Sequence, residues 1–277
     1  MNGTIAQRCG VARLRHNGSM RFTSVEEWAR AYITSDSLAW KLAPSSPPDE
    51  WSGVQGPPPM SPGRPTDWVQ GKKSPKRPRS FDTPLKRAKL LHSFFHHELQ
   101  AAELMCWALL RFADSPPEFR RGLLRIALDE IRHCRLYADH IESLGHHLGE
   151  FPIRDWFWDR VPSCQTPLQF VACMGMGFEA GNLEHSAKFA DAFRSAGDEQ
   201  GAAIQDQVGA EEIAHVRFAV HWFRELKGDL SFDMWLEELP APLSPMVMRG
   251  VPLHRERRSA AGLDDSFLDA LSAWTPT

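Results

Sequence analysis

An all-α protein built on a bundle of four long helices is the fold class this sequence predicts, on three observations. Thr83-Pro84, Ser115-Pro116, Thr166-Pro167 and Asp198 each read as a helix start, and each opens about 30 residues of helical apolar spacing. Gly145, Gly197 and Gly228 stand where the second, third and fourth of these segments should stop. The connections are a few residues long within the first and last pairs but about 20 between the second and third helices. Short connections demand antiparallel hairpins. The long one, with Phe151, Trp156, Phe157 and Trp158, can cross the full length of the bundle.

In chain order, residues 1–20 are polar and without period, which predicts a loose arm. Ser24-Val25-Glu26-Glu27 is a capping box opening a short helix to about Ile33, with another turn near Leu38–Leu42. From Ala43 to Thr83 frequent prolines, among them Pro44, Pro57 and Pro65, forbid regular helix or a central strand. Trp51 and Trp68 favour an extended strap lying over the bundle. The basic run Lys72, Lys73, Lys76, Arg77 and Arg79 reads as a solvated loop. The bundle then spans 84–228. After it, Phe232–Leu239 predicts a short helix, Pro240–Pro245 an extended stretch, and Asp264 or Asp265 a last helix reaching about Trp274. The division is therefore an N-terminal arm over 1–83, the bundle over 84–228 and a C-terminal arm over 229–277.

A chain of 277 residues can bury a core, and a net charge of −3 with pI near 6.5 gives no reason to expect a nucleic-acid partner. Five cysteines with no Cys-x-x-Cys argue for free thiols and against a thiolate zinc site. No apolar run suits a signal peptide or a membrane span, so the expected location is the cytoplasm.

The chemistry concentrates in two stretches, Asp129-Glu130-Ile131-Arg132-His133 and Glu211-Glu212-Ile213-Ala214-His215. Three residues along a helix bring a Glu and a His onto one face, about a turn apart, where both reach one point. Each forms half of a metal site. Glu98 lies 32 residues before Glu130 and Glu179 lies 33 before Glu212, so a Glu helix followed by a Glu-x-x-His helix occurs twice. Glu98 and Glu130 each lie 14 residues past the prolines that open their helices, Glu179 lies 12 past Pro167, and Glu212 lies 14 past Asp198. All four reach mid-helix, the one depth that antiparallel neighbours share. Ile126, Ala127, Ile131, Ile213 and Val216 flank them, which argues against a solvated face. Six such groups buried without a cation would incur large desolvation penalties. The candidate ligands are Glu98, Glu130, His133, Glu179, Glu212 and His215. Four carboxylates and two imidazoles suit iron or manganese better than zinc.

On these residues the region 84–228 resembles a ferritin-like di-iron carboxylate domain, whose ligand inventory is this one. The wider chain resembles a bacterial branch of that superfamily filed as a domain of unknown function. Ribonucleotide reductase small subunits, acyl-carrier-protein desaturases, bacterial multicomponent monooxygenases and a tRNA hydroxylase carry similar ligands. The resemblance implies two iron ions, or manganese or a mixed pair. It implies an oxidoreductase that uses dioxygen or peroxide to hydroxylate, desaturate or N-oxygenate a small or carrier-bound organic substrate, supplied by an external electron donor. Iron storage or ferroxidase detoxification, and a peroxidase or manganese catalase, remain the alternatives.

Glu103 and Glu184 each lie five residues beyond a chosen ligand, about 140° around and some 7.5 Å along the helix. Spacing to the next helix, and Glu98-Leu99-Gln100-Ala101, which resembles the first ligand helix of ferritins, favour Glu98; the same register favours Glu179. Glu103 and Glu184 are then expected to support the ligands or to line a substrate pocket, with His96 beside Glu98. By the resemblance, Asp129 would orient His215 and Glu211 would orient His133. Tyr137, four residues past His133, lies about 40° from the ligand imidazole. Glu130-x-x-His133-x-x-x-Tyr137 is similar to the radical-bearing helix of reductase small subunits. Core packing and a redox or proton-donating role both stay open for it. Gly175 and Gly177, unexpected in mid-helix, predict either a closely packed neighbouring helix or a channel.

Overall fold

The computed structural model describes residues 21–53, 56–71 and 80–276; the first 20 residues, with Cys9, and the basic run at Lys72, Lys73, Lys76, Arg77 and Arg79 lie outside them. Ser24 accepts from the Glu27 amide and starts α1 (Val25–Thr34), while Glu27 reaches back to the Thr23 amide at 2.7 Å. Ser37 caps the single turn α2 (Leu38–Leu42). Thr83 caps α3 (Pro84–Arg111) through the Lys86 amide. For α4 (Pro117–Ser143) the structure differs from the sequence reading. Pro116, not Ser115, is the cap residue and offers no side-chain hydrogen bond, since two successive prolines push the start one residue on.

The third long segment is not a uniform α-helix. It opens as α5 (Pro167–Phe170), widens into a π segment over Val171–Glu179, and returns to α-helix in α6 (Ala180–Ser195). The Ala180 amide reaches the Gly175 carbonyl five residues back. Gly175 also settles the packing question. A Cβ there would lie 2.3 Å from Ala219 Cβ, so the close neighbour is the helix α7 (Glu199–Lys227). α7 ends on Gly228 at φ 92°, where a side chain would be strained.

α3 packs along α4 and α6 along α7, and α4 meets α7 to join the two pairs. Among the described residues there is no strand, only an isolated parallel bridge between Gln70 and Ile153. That bridge fastens the strap to the crossover: the Ile153 amide donates to Val69 O at 2.9 Å and the Gly71 amide to Ile153 O at 2.7 Å. Trp68 sits among His92, Phe95 and His96 of α3, and Trp51 lies under the Arg120 guanidinium. The described part of the Pro-rich arm is a strap.

The C-terminal arm holds α8 (Phe232–Glu237), a 3-10 turn at Pro245–Val247, α9 (Arg255–Ala260) and α10 (Asp265–Ala273). Trp235 donates from Nε1 to Ala172 O at 3.0 Å, which docks the arm on the π segment. The stretch expected to be extended therefore runs into a turn at Pro245, and α9 was not anticipated at all. Its sequence, Arg-Glu-Arg-Arg-Ser-Ala, has no apolar period to announce a helix. No helix among the described residues is long and apolar enough to cross a membrane.

The apolar interior divides into two clusters. On α4 one runs to Ile131 and the other starts at Cys134; on α7 the second ends at Val208 and the first resumes at Val216. The layer between them is polar, and it is where the candidate ligands lie.

Candidate metal centre

Four elements contribute to that layer: α3 gives Glu98, α4 gives Glu130 and His133, the last residue of the π segment is Glu179, and α7 gives Glu212 and His215. None of the six is more than 3% exposed, so these are core groups and not a solvated face. Ligating atoms of Glu98, Glu130, His133 and Glu212 all lie within 4.8 Å of one another, a spacing that could hold a metal ion. His215 Nδ1 joins them, 2.9 Å from Glu130 Oε1 and 3.2 Å from Glu212 Oε2.

Both imidazoles are presented alike. Nδ1 of His133 faces inward, 3.2 Å from Glu130 Oε2 and 3.6 Å from Glu98 Oε2, while its Nε2 meets Glu211 Oε2 at 2.7 Å. His215 turns Nδ1 inward and Nε2 toward Asp129 Oδ2 at 3.5 Å. Each ring is thus held by an acid on the opposite helix. Arg132 ties the two acids together, donating to Asp129 Oδ1 at 2.9 Å and to Glu211 Oε1 at 3.0 Å.

The electrostatics describe a site crowded with negative charge. Burial, then the charges of Glu130 and other carboxylates, push Glu98 well above the usual carboxylate range. Burial, then Glu212, Glu130 and Glu98, do the same to Glu179. Burial works against the charge on Glu130 too, but His215 and His133 outweigh it and hold that carboxyl well down. Burial likewise opposes charge on His133 and His215, yet the surrounding carboxylates raise both well above the usual imidazole range. Glu98 Oε2, Glu130 Oε1 and Glu179 Oε1 are buried without a hydrogen-bond partner; the close approach of His215 to Glu130 is off the direction of a hydrogen bond. Orphaned carboxylate oxygens in a dry core cost free energy unless something positive meets them. A divalent cation bound by these oxygens and the two Nδ1 atoms fits that need.

Tyr137 is buried in the apolar cluster beside this layer, its ring against Phe94 and its hydroxyl accepting from Gln205 Nε2 at 3.1 Å. Burial, then the charges of Glu98 and Glu212, raise its phenol well above the usual range.

Glu103, Glu184 and His96 make their contacts with the arms and the crossover and not with the candidate ligands. Glu103 accepts from Lys41, from Arg64 Nη2 at 2.8 Å and from Trp158 Nε1 at 2.9 Å, so it anchors the strap and the crossover. Glu184 accepts from Arg258 Nε at 2.8 Å and from the Gly250 and His254 amides at 3.1 and 2.9 Å, anchoring the C-terminal arm. His96 stands 3.2 Å from Asp155, which Arg64 also holds. The reason for the two glutamates is rotational: a step of five residues turns both away from the face that carries the candidate ligands and toward the arms packed on these helices. Sequence reasoning missed Arg132 and Asn182, whose Nδ2 donates to Glu212 Oε1 at 3.3 Å. The Asp129–Arg132 spacing of three was a readable signal for the first; nothing marked Asn182.

The profile of the family described as "Protein of unknown function (DUF455)" matches residues 20–269. The chain belongs to the DUF455 family. The match includes all six candidate ligands and both anchoring glutamates. A Haemophilus influenzae protein described as "Uncharacterized protein" is 26% identical over 211 residues, covering 73% of this chain and 72% of its own. No solved structure matches.

Proposed function

We propose that this DUF455 chain is a ferritin-like four-helix bundle that holds a dinuclear iron centre and uses dioxygen or peroxide to oxidise an organic substrate. The observation that carries the reading is one buried layer in which Glu98, Glu130, His133 and Glu212 offer ligating atoms within 4.8 Å of one another, His215 stands against Glu130 and Glu212, and Glu179 feels the charges of the other three glutamates, with three carboxylate oxygens left without partners. Those six residues would hold the ions, and the pair, when bound, supplies redox chemistry toward dioxygen or peroxide. With the ions bound, Glu211 and Asp129 would hold the one remaining ring proton on Nε2, the metal taking the place of the Nδ1 proton that the surrounding carboxylates favour in its absence. Arg132 holds those two acids in place and, after the imidazoles themselves, favours their ionised forms. The flanking apolar clusters exclude water. Tyr137, its phenol raised by burial and by the charges of Glu98 and Glu212, keeps its proton at neutral pH.

The test is to load the protein anaerobically with ferrous iron, admit air and follow the visible spectrum together with the native size. A new absorption that needs both iron and air, in a particle far smaller than a storage cage, supports the reading. No spectral change, or a cage-sized shell, overturns it.

A further inference from the structure

A cavity of about 410 Å³ lies between one face of α3, the crossover and the junction of the π segment with α6. Its lining is rich in aromatic rings. Phe157 of the crossover stacks on Phe178 with centroids 4.5 Å apart and planes 8° from parallel. His97 stacks on Phe157 at 5.1 Å, and Trp156 packs against Phe178 at 5.1 Å. These four aromatic rings pack on one another and line one contiguous wall of the cavity. His92 also lines the cavity; burial, then neighbouring His96, lower its pKa to about 4, so the ring is neutral at physiological pH. Among the described lining residues Arg154 bears the only permanent charge, and Asp159 stands 3.8 Å from it.

The cavity also reaches the metal layer. Asn182 lines it and donates to Glu212, while His97 and Phe178 immediately precede Glu98 and Glu179 in the chain. A cavity of this size with an apolar wall and a few convergent polar groups is the form that small-molecule sites take. We propose that it is the substrate site of the centre described above, and that it selects an uncharged, planar aromatic or heteroaromatic ring over a saturated one of equal size. The proposal rests on the dinuclear reading for the word substrate, but not for the ring preference. Flat rings match stacked walls in offset or edge geometry, which puckered saturated rings cannot do.

The experiment measures affinity of the full-length protein for naphthylmethanol and for its ring-saturated counterpart, decahydronaphthylmethanol, by titration calorimetry with metal content assayed in parallel. The aromatic alcohol should bind roughly tenfold tighter. Phe157→Leu should erase most of that difference. Ser93→Trp, filling the cavity from α3, should abolish binding of both, and circular dichroism checks that each variant folds. Equal affinities, or a preference that survives both substitutions, overturn the proposal. With manganous ion loaded, the ring protons of bound naphthylmethanol should broaden in proton NMR. Metal bound without broadening removes the cavity from the centre and overturns the proposal. A chain that takes no metal yet prefers the aromatic ring contradicts the dinuclear reading and leaves the ring selectivity supported.

Discussion

Replacing Glu103 by Gln separates an anchoring carboxylate from a ligand. The Glu103 carboxylate is fully buried and faces two cations, Lys41 at 1% side-chain exposure and Arg64 at 10%, with Trp158 Nε1 as a further donor. Asp155 shares Arg64, so two positive and two negative charges balance. Glu103→Gln removes one negative charge and leaves Lys41, whose own pKa burial already lowers, without a counter-ion. Breaking a buried pair in this way costs about 3–5 kcal/mol. At roughly 2–4 °C per kcal/mol for a chain of this size, the melting temperature should fall by about 6–20 °C. Metal content should stay at the wild-type level. Glu98→Gln should do the reverse. Burial and Glu130 already favour the protonated Glu98 carboxyl, so its neutral isostere barely shifts the melting of the metal-free protein, while bound metal falls. Thermal melts and elemental analysis on the two variants decide between the roles. A Glu103→Gln protein that melts like wild type, or that loses metal while Glu98→Gln keeps it, refutes the assignment.

Two further outcomes follow from the same geometry. Asp129→Asn combined with Glu211→Gln should weaken metal binding about 10- to 100-fold without unfolding the helices, measured by competition with a chelator. His92, whose Nε2 accepts from the Gly149 amide at 3.0 Å, has its pKa depressed from 6.5 to about 4. A depressed folded pKa means the unfolded chain binds the extra proton, so stability is present above about 6.5 and lost as pH falls through about 4, by up to about 3 kcal/mol. His92→Gln should flatten the denaturant-measured stability across that window.

How much of this was legible follows from which residues carry local signals. Thr83, Thr166, Asp198 and Gly228 act through their own backbone neighbours, so the long helices could be placed within a residue or two. The candidate ligands were legible because a helix turns spacing directly into direction. Gly175 and Gly177 were visible as anomalies, but a π segment depends on packing against α7, which no local pattern reports. The anchoring roles of Glu103 and Glu184 were hidden for the same reason. Their partners Arg64 and Arg258 come from arms 39 and 74 residues away, and nothing in an isolated Arg marks it as buried.

The central claim, that six residues of this layer hold two metal ions, is tested most directly by metal stoichiometry. Protein reconstituted anaerobically with ferrous iron and freed of loose ions should retain about two ions per chain. Glu130→Ala and His215→Ala should each retain far fewer while keeping wild-type helical content by circular dichroism. No retained metal in the wild type, or full occupancy in both variants, would contradict the account.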